Sequence, residues 1–255
     1  MNTRSIIRKI VIILFWIGIW AAAAEVMQKS LLLPSPVSVF VRIFELLLIR
    51  DFWKITLLSL VRISLGILAA IILGIVLASV THYSNLLKEL LSPVLTVVKV
   101  TPVASFIILA LIWIGRDNVP IVISGLMVLP VVWNNVSAGL RNIDSTLMEM
   151  AEIYCIPRHI RYKRIVLPSV MPYFLSAIQT SIGIGWKAGI AAEVLTVPVL
   201  SIGKMIYESK MYMETTDLFA WTLVVICISL LIETILMKFV KKLGQKYNSE
   251  VSAHD

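Results

Sequence analysis

The chain has 255 residues, of which 59% are hydrophobic and only 15% are charged. A soluble domain of this length carries about 25% charged residues, so the composition excludes an ordinary water-soluble protein and indicates a chain embedded in lipid. The formal charge of +8 does not indicate a nucleic-acid-binding protein, because the basic residues lie between apolar runs and at the chain ends, as they do in membrane proteins.

Six apolar segments are each long enough to cross a bilayer as a helix, which requires about 20 residues. Open strands are excluded because their unpaired backbone groups are too costly in lipid. The first segment also resembles a cleaved signal peptide, but the rest of the chain is itself apolar, so a first transmembrane helix is the simpler interpretation. We therefore predict an all-α integral membrane fold with six transmembrane helices, at residues 6–24, 55–80, 94–114, 119–140, 170–195 and 218–239. The third of these spans is interrupted by Lys99 and Pro102.

The distribution of Lys and Arg sets the expected orientation in the plasma or inner membrane, because these residues concentrate in short cytoplasmic loops. With the N terminus inside, the inner segments hold more than half of the 23 basic residues. The even number of helices then places both termini in the cytoplasm. The predicted organisation is residues 1–54 as an N-terminal helix with an outer amphipathic segment, 55–239 as a transmembrane domain with a cytoplasmic loop at 141–168, and 240–255 as a cytoplasmic tail.

Several shorter segments complete this outline. A Pro-Ser-Pro sequence at 34–36 stops the chain after the first helix, and residues 37–49 are predicted to form a short amphipathic helix at the membrane interface. Residues 201–213 are expected to form a second short outer helix. The polar end of the chain, residues 248–255, is expected to be disordered.

Small residues recur at every fourth position in two of the predicted spans. They are Gly66, Ala70 and Gly74 in the second span, and Gly185 and Gly189 in the fifth. This spacing lets helix backbones approach closely. It indicates either packing within one helical bundle or a seam between two copies of the chain.

The segment between the fourth and fifth spans differs from the other loops because it is long, charged and patterned. Asp144 or Ser145 can cap a helix there, and Pro157 ends or kinks that helix. A second helical stretch, residues 158–167, carries four positive charges. The loop is therefore predicted to be a short helix, a break and a basic helix, which together suit the docking of another protein.

The same segment carries a sequence signature. Five residues fall in register with the pattern Glu-Ala-Ala, three residues, Gly, nine residues, Ile, one residue, Leu-Pro, namely Glu149, Ala151, Ile165, Leu167 and Pro168. This register resembles the cytoplasmic signature of the permease subunits of binding-protein-dependent ABC importers. Met150 and Cys155 depart from it, and Cys155 stands where the family has glycine. Cysteine tolerates a left-handed backbone less well than glycine, so we expect the chain to turn at Pro157 instead.

The resemblance covers nearly the whole chain. Residues 33–36 with Ser59, Arg62 and Gly66, and residues 99–104 with 113–115, are similar to the sulfonate, taurine and nitrate-type permease group, although that group usually has Arg where Lys99 stands. The end of the fifth span, Ala192 and Glu193 followed by residues 201–203, is also similar to that group. The resemblance implies an ABC transmembrane type-1 domain with the type I importer fold, and the import of a small anion such as a sulfonate, taurine or nitrate.

The family also implies partners. Its coupling residues map here to Glu149, Ala151, Glu152, Cys155, Pro157, Arg158, Ile165, Leu167 and Pro168, which are expected to contact a separate ATPase subunit. An extracytoplasmic substrate-binding protein and a second copy of the permease are expected as well. The chain has no phosphate-binding loop, because Gly203 and Lys204 are followed by Met205 and lack the upstream glycine. We therefore predict a transport subunit rather than an enzyme, with no cofactor, no metal and no nucleic-acid partner.

Ionisable residues inside the predicted spans are costly and are often functional. The family places the region of Lys99 and Pro102 along the translocation path, and Lys187 and Glu193 lie late in the fifth span. Either lysine would attract an anion in a low-dielectric cavity. The alternatives are an ion pair between Lys187 and Glu193 and the snorkelling of Lys99 to the interface. Arg62, near the end of its span, is expected to snorkel or anchor.

Other functions remain to be weighed against this one. An ABC permease for a thiamine-type precursor has the same architecture and differs only in its solute. A secondary transporter belongs to another class and leaves the register at 149–168 unexplained. An integral-membrane enzyme should show clustered Asp, His or Cys residues, and the sequence shows none.

Overall fold

A computed structural model describes residues 3–28 and 31–252. All regular structure in these residues is helical, as the composition predicts. The helices are α1 (Thr3–Met27), α2 (Pro36–Leu48), α3 (Arg50–Tyr83), α4 (Asn85–Val100), α5 (Val103–Ile114), α6 (Val119–Arg141), α7 (Ser145–Ile153), α8 (Arg158–Arg161), α9 (Leu167–Thr196), α10 (Ile202–Met211) and α11 (Thr215–Ser252), and a π-turn at Tyr162–Val166 joins α8 to α9.

Five helical stretches among the described residues are long and apolar enough to cross a membrane. They are Ile10–Met27, Arg50–Tyr83, Val119–Arg141, Arg158–Thr196 and Thr215–Lys238. The α4–α5 pair passes the same criteria jointly, which gives the six predicted spans when the pair counts as one. The chain is therefore a multi-pass membrane protein.

The third predicted span is not one continuous helix. Its two halves, α4 and α5, meet at an angle of 108°. The break falls at Thr101, whose backbone is extended (φ −70°, ψ 133°), and Pro102 follows it. Proline lacks an N–H and disfavours helical geometry at the preceding residue, so the helix ends here. The interruption predicted for the third span, at Lys99 and Pro102, is therefore confirmed at Pro102.

The chain divides into two compact units. The first unit contains Met1–Ser59 and Val197–Ile228, and both short helices predicted from the sequence lie in it as α2 and α10. The hydroxyl of Ser35 caps α2 by accepting the N–H of Ser38 at 3.2 Å, and the hydroxyl of Ser201 caps α10 in the same way. Serine is favoured at this position because its side chain satisfies a backbone donor that the helix leaves open.

An arginine connects α2 to α11 within the first unit. Two nitrogens of the Arg42 guanidinium donate to the two carboxylate oxygens of Asp217 at 2.6 and 2.8 Å, and a third donates to Glu45 at 2.8 Å. The hydrogen bonds to Asp217, followed by the one to Glu45, raise the pKa of Arg42 above its ordinary value. The guanidinium is consequently charged at every physiological pH, and this fork-like pairing holds the two helices in register.

The second unit contains Leu60–Thr196 and Ser229–Asp255, and α3, α6 and α9 pack at its centre. The small residues mark where these helices come closest. A Cβ added at Gly66 would collide with the carbonyl group of Ile121, and one added at Gly189 would lie 2.7 Å from Ile63. The glycine spacing therefore serves packing within one chain, which confirms the first of the two interpretations given above.

The last helix extends beyond its predicted span. α11 continues to Ser252, so residues 248–252 are helical and the prediction of disorder for them was wrong. Extending an existing helix costs little compared with nucleating a new one, which explains why polar residues continue it. Residues 253–255 of the predicted disordered end lie outside the described residues.

Candidate functional site

A short helix, α7, connects two spans of the second unit. Asp144 caps it by accepting the N–H of Thr146 at 2.8 Å, which selects one of the two caps predicted from the sequence. Ala151 is fully buried, whereas Glu149 and Met150 are exposed. The helix therefore rests on a small side chain and presents an acidic and apolar face to its surroundings.

The chain turns immediately after α7 at Cys155. This residue adopts a left-handed backbone with φ of 50°. The N–H of Cys155 donates to the carbonyl of Glu152 at 2.9 Å, and the N–H of Ile156 donates to the carbonyl of Ala151 at 2.9 Å. These two bonds define the Schellman motif that commonly ends a helix, with Cys155 at the position where glycine is preferred.

The expectation that the chain turns at Pro157 instead of Cys155 was therefore wrong. Pro157 has an extended backbone (φ −56°, ψ 143°) and precedes the first residue of α8. A non-glycine residue in the left-handed region costs about 1–2 kcal/mol. The two capping hydrogen bonds satisfy carbonyls that α7 would otherwise leave open, and the Cys155 side chain meets no steric obstacle because the residue is exposed.

The basic stretch after the turn runs directly into the fifth span. Arg161 donates to the carboxylate of Glu152 at 3.0 Å, which ties this stretch to the end of α7. The Glu152 side chain is 69% exposed, so the pair contributes at most about 1 kcal/mol. Arg158 is exposed and makes no ion pair among the described residues.

The π-turn lies beside a proline at the start of α9. The N–H of Leu167 donates to the carbonyl of Tyr162, five residues earlier. Pro168 follows, and it cannot make the ordinary backbone bond four residues back. One wider turn accommodates the proline without ending the helix. Ile165 and Pro168 are half-buried and Leu167 is 38% exposed, so these three signature residues belong to the beginning of the span rather than to the exposed helix.

The structure assigns Glu193 a different partner from the one considered in the sequence. Its carboxylate is fully buried and lies 3.0 Å from a guanidinium nitrogen of Arg62, whose side chain is only 14% exposed. Lys187 on the same helix is exposed. The alternative of a Lys187–Glu193 ion pair was therefore wrong, and Arg62 points into the protein instead of snorkelling.

Sequence reasoning did not pair Arg62 with Glu193, although a signal was present. Arg62 lies near the beginning of the second predicted span and Glu193 near the end of the fifth. Because successive spans alternate in direction, these two ends lie at the same side of the membrane and the two residues share a depth. Opposite charges at one depth in neighbouring helices are expected to pair, because neither is stable alone in a low-dielectric environment.

Lys99 and Lys187, the two lysines predicted to lie along the translocation path, are both exposed. Lys187 lies on a face of α9 that also exposes Ile184, Ala191 and Leu195. Lys99 is in the last turn of α4, and Pro102 follows at the bend. A charged side chain is costly against hydrocarbon, so such residues ordinarily face water or another protein.

The chain is thus a helical multi-pass membrane protein with an exposed helix between two of its spans. Residues 70–249 match the family described as binding-protein-dependent transport system inner membrane component. The match covers more than half of the chain, and the chain therefore belongs to this family. The predicted ABC importer permease is confirmed, and the secondary-transporter alternative is set aside.

Individual relatives share most of the chain's length. The putative aliphatic sulfonates transport permease protein SsuC of Bacillus subtilis is 26% identical over 91% of this chain and 85% of its own. The taurine transport system permease protein TauC of Escherichia coli is 24% identical over 91% of this chain and 85% of its own. The nitrate import permease protein NrtB of Leptolyngbya laminosa is 30% identical over 62% of this chain and 56% of its own.

A solved structure has the same fold. It is the crystal structure of an amino acid ABC transporter with histidines, at a TM-score of 0.57 and 14% identity. The likeness covers 74% of this chain and 91% of that one. The predicted type I importer permease fold is thus confirmed.

Proposed function

We propose that this chain is the permease subunit of an ATP-driven importer of a small anion of the sulfonate, taurine, nitrate or bicarbonate type. Its relatives SsuC, TauC and NrtB carry names of such anion permeases, as does the bicarbonate transport system permease protein CmpB of Synechococcus elongatus. A separate ATPase hydrolyses ATP, an extracytoplasmic binding protein delivers the solute, and two copies of the permease form the pathway.

The observation that carries this proposal is the exposed helix α7 with its turn at Cys155. Exposed Glu149, Met150 and Ile153 leave a face of mixed acidic and apolar character that nothing within the described chain covers. Such a face fits a groove on another protein, because burial of its apolar side chains is favourable and its carboxylate can form an ion pair with a basic residue of the partner. The residues 149–158 form the docking surface, and Ile165, Leu167 and Pro168 connect it to α9.

The bond from Arg161 to Glu152 and the continuous passage of α8 into α9 give this surface a mechanical connection to the membrane. When two ATPases close around ATP, they bring two such helices together. That movement rotates each helical bundle, and the pathway opens alternately to the two sides of the membrane. Both termini lie in the cytoplasm on this account, on the same side as α7.

The exposed lysine face of α9 belongs to the translocation path. Lys187 cannot lie stably against hydrocarbon, and a water-filled path between two copies of the chain accommodates its charge. Lys99 borders the same path beside the bend at Pro102. Glu193 acts differently, since its burial against Arg62 makes it a residue that positions α3 against α9 rather than one that contacts the solute.

The docking proposal is tested by reversing one charge on α7. Glu149→Lys is expected to reduce copurification of the ATPase at least tenfold and to abolish uptake, because it places a cation where a basic groove is expected. Glu25→Lys is the matched control, since Glu25 is an exposed glutamate near the end of α1, outside the docking surface, and forms no ion pair among the described residues. Normal copurification of the Glu149→Lys protein, with membrane insertion intact, contradicts the docking role.

The solute proposal is tested in proteoliposomes that contain the permease, its ATPase and its binding protein. ATP-dependent uptake of radiolabelled taurine, an alkyl sulfonate, nitrate or bicarbonate is expected, and Lys187→Ala is expected to slow it about tenfold without loss of assembly. Lys238→Ala on α11 is the control, because it also removes an exposed lysine that forms no ion pair among the described residues. Uptake of a thiamine-type precursor and of none of the anions contradicts the proposal.

A further inference from the structure

A polar cavity lies where α3, α4 and α6 meet, at the end of the second unit from which α7 departs. Its volume is about 230 Å³. Three of its lining residues, His82, Lys88 and Arg141, are basic and exposed. No acidic side chain is among the described residues that line it, and neither Lys88 nor Arg141 forms an ion pair within the described chain. The cavity is therefore electropositive.

A buried serine in this cavity lacks a partner. Ser137 is 8% exposed, and its hydroxyl has no hydrogen-bond partner among the described residues. Serines inside helices commonly donate to the carbonyl four residues earlier, as Ser79 does at 2.9 Å. A buried hydroxyl left without a partner is costly, so the O–H donor of Ser137 stays unsatisfied until a ligand supplies an acceptor.

The base of the cavity is fixed, and a helix begins at its edge. The indole N–H of Trp133 donates to the hydroxyl of Thr81 at 3.0 Å, and both residues are buried. Asn85, the first residue of the 16-residue helix α4, lines the cavity as well. The hydroxyl of Ser84 accepts the N–H of Leu87 at 3.4 Å, which leaves the N–H groups of the first two residues of α4 without an acceptor in the helix. The positive end of the helix dipole also lies here and favours an anion.

We propose that this cavity binds an oxyanion of the phosphate type, presented either by the headgroup of an anionic lipid or by a free anion. The two exposed cations, the unsatisfied hydroxyl of Ser137 and the N-terminus of α4 together supply the donors that such a group requires. Arg141 is the last residue of α6, and Asp144 caps α7 three residues later. A bound anion therefore lies close in the chain to the beginning of the docking segment, and none of the residues proposed for the solute path lines the cavity.

The proposal is tested by native mass spectrometry of the full-length protein in neutral detergent, with added phosphatidylglycerol, phosphatidylcholine or inorganic phosphate. Lys88→Gln and Arg141→Gln are each expected to weaken anion binding about tenfold, because each removes one charge-assisted hydrogen bond. Lys238→Gln is the control, since Lys238 is an exposed lysine of α11 outside the cavity and is expected to leave binding unchanged.

The ligands distinguish the two sources of the anion. Retention of phosphatidylglycerol over phosphatidylcholine identifies a lipid headgroup, and binding of inorganic phosphate without lipid identifies a free anion; either result supports the site. Ser137→Ala, which alters only the buried hydroxyl, is expected to weaken binding severalfold. Unchanged binding in Ser137→Ala assigns the affinity to surface charge and overturns the proposal, as does an equal effect of Lys238→Gln or an absence of anion binding.

Discussion

At the scale of the residue, a carboxylate with no solvent exposure faces a guanidinium across the contact between α3 and α9. The burial of Glu193 and the 3.0 Å distance to Arg62 mean that each charge depends on the other. Bringing such a pair out of water costs nearly as much as its attraction returns, so the pair adds little net stability. Removing one partner, however, takes the 3.0 Å ion pair away from a charge that stays inside the protein.

Replacing one residue of this pair is expected to reduce the stability of the protein, whereas replacing both is expected to reduce it much less. Arg62→Met and Glu193→Leu should each destabilise the protein by about 3–5 kcal/mol, whereas the double variant should recover at least half of that loss. The measurement is the apparent melting temperature of the purified protein. A double variant as unstable as the sum of the two single variants would show that the two residues are not coupled.

Cys155 illustrates what a residue-by-residue comparison with a signature misses. The substitution of glycine by cysteine suggested that the chain turns elsewhere, because a Cβ disfavours the left-handed region. The structure keeps the turn in place, since two capping hydrogen bonds and an exposed side chain outweigh that cost. The end of α7 sets the backbone geometry at Cys155, and the residue type changes only the energy of that geometry.

At the scale of the element, the close approach of α3 to α6 and α9 organises the second unit. Gly66 lies against the backbone of Ile121, and Gly189 lies against the side chain of Ile63. Hydrophobicity alone predicted where the spans lie, because a helix needs about 20 apolar residues to cross the hydrocarbon core. Pro102 indicated the interruption between α4 and α5 but not its angle of 108°, which depends on how the two halves pack against their neighbours.

A methyl group at the α3–α6 contact is expected to separate these helices. In Gly66→Ala the new Cβ meets the Ile121 carbonyl, which is backbone and cannot rotate away. We expect destabilisation by about 1–3 kcal/mol, seen as a lower melting temperature and a loss of uptake. Gly183→Ala is the control, because nothing lies within 4 Å of a Cβ at that position. Equal melting temperatures for the two variants would contradict the close approach.

At the scale of the whole molecule, the sequence predicted the helical membrane fold and the family, because both depend on patterns that run along the chain. Apolar length gives the spans, and five signature residues give the permease family. The pairing of Arg62 with Glu193 was not predicted, because it depends on which helices become neighbours. The cavity at Ser137 was not predicted either, because an unsatisfied hydroxyl is visible only when its surroundings are known.

The central claim is that the exposed segment around Cys155 contacts an ATPase on the cytoplasmic side. The chain has two cysteines, both exposed in the structure, so replacing Cys227 by serine leaves Cys155 as a single reporter. The decisive measurement is the rate at which a membrane-impermeant maleimide labels Cys155 in intact cells and in inside-out vesicles, with and without the ATPase. The account predicts no labelling in cells, rapid labelling in vesicles stripped of the ATPase, and at least tenfold protection when the ATPase is bound. Labelling of Cys155 from outside intact cells, or equal labelling with and without the ATPase, would contradict it.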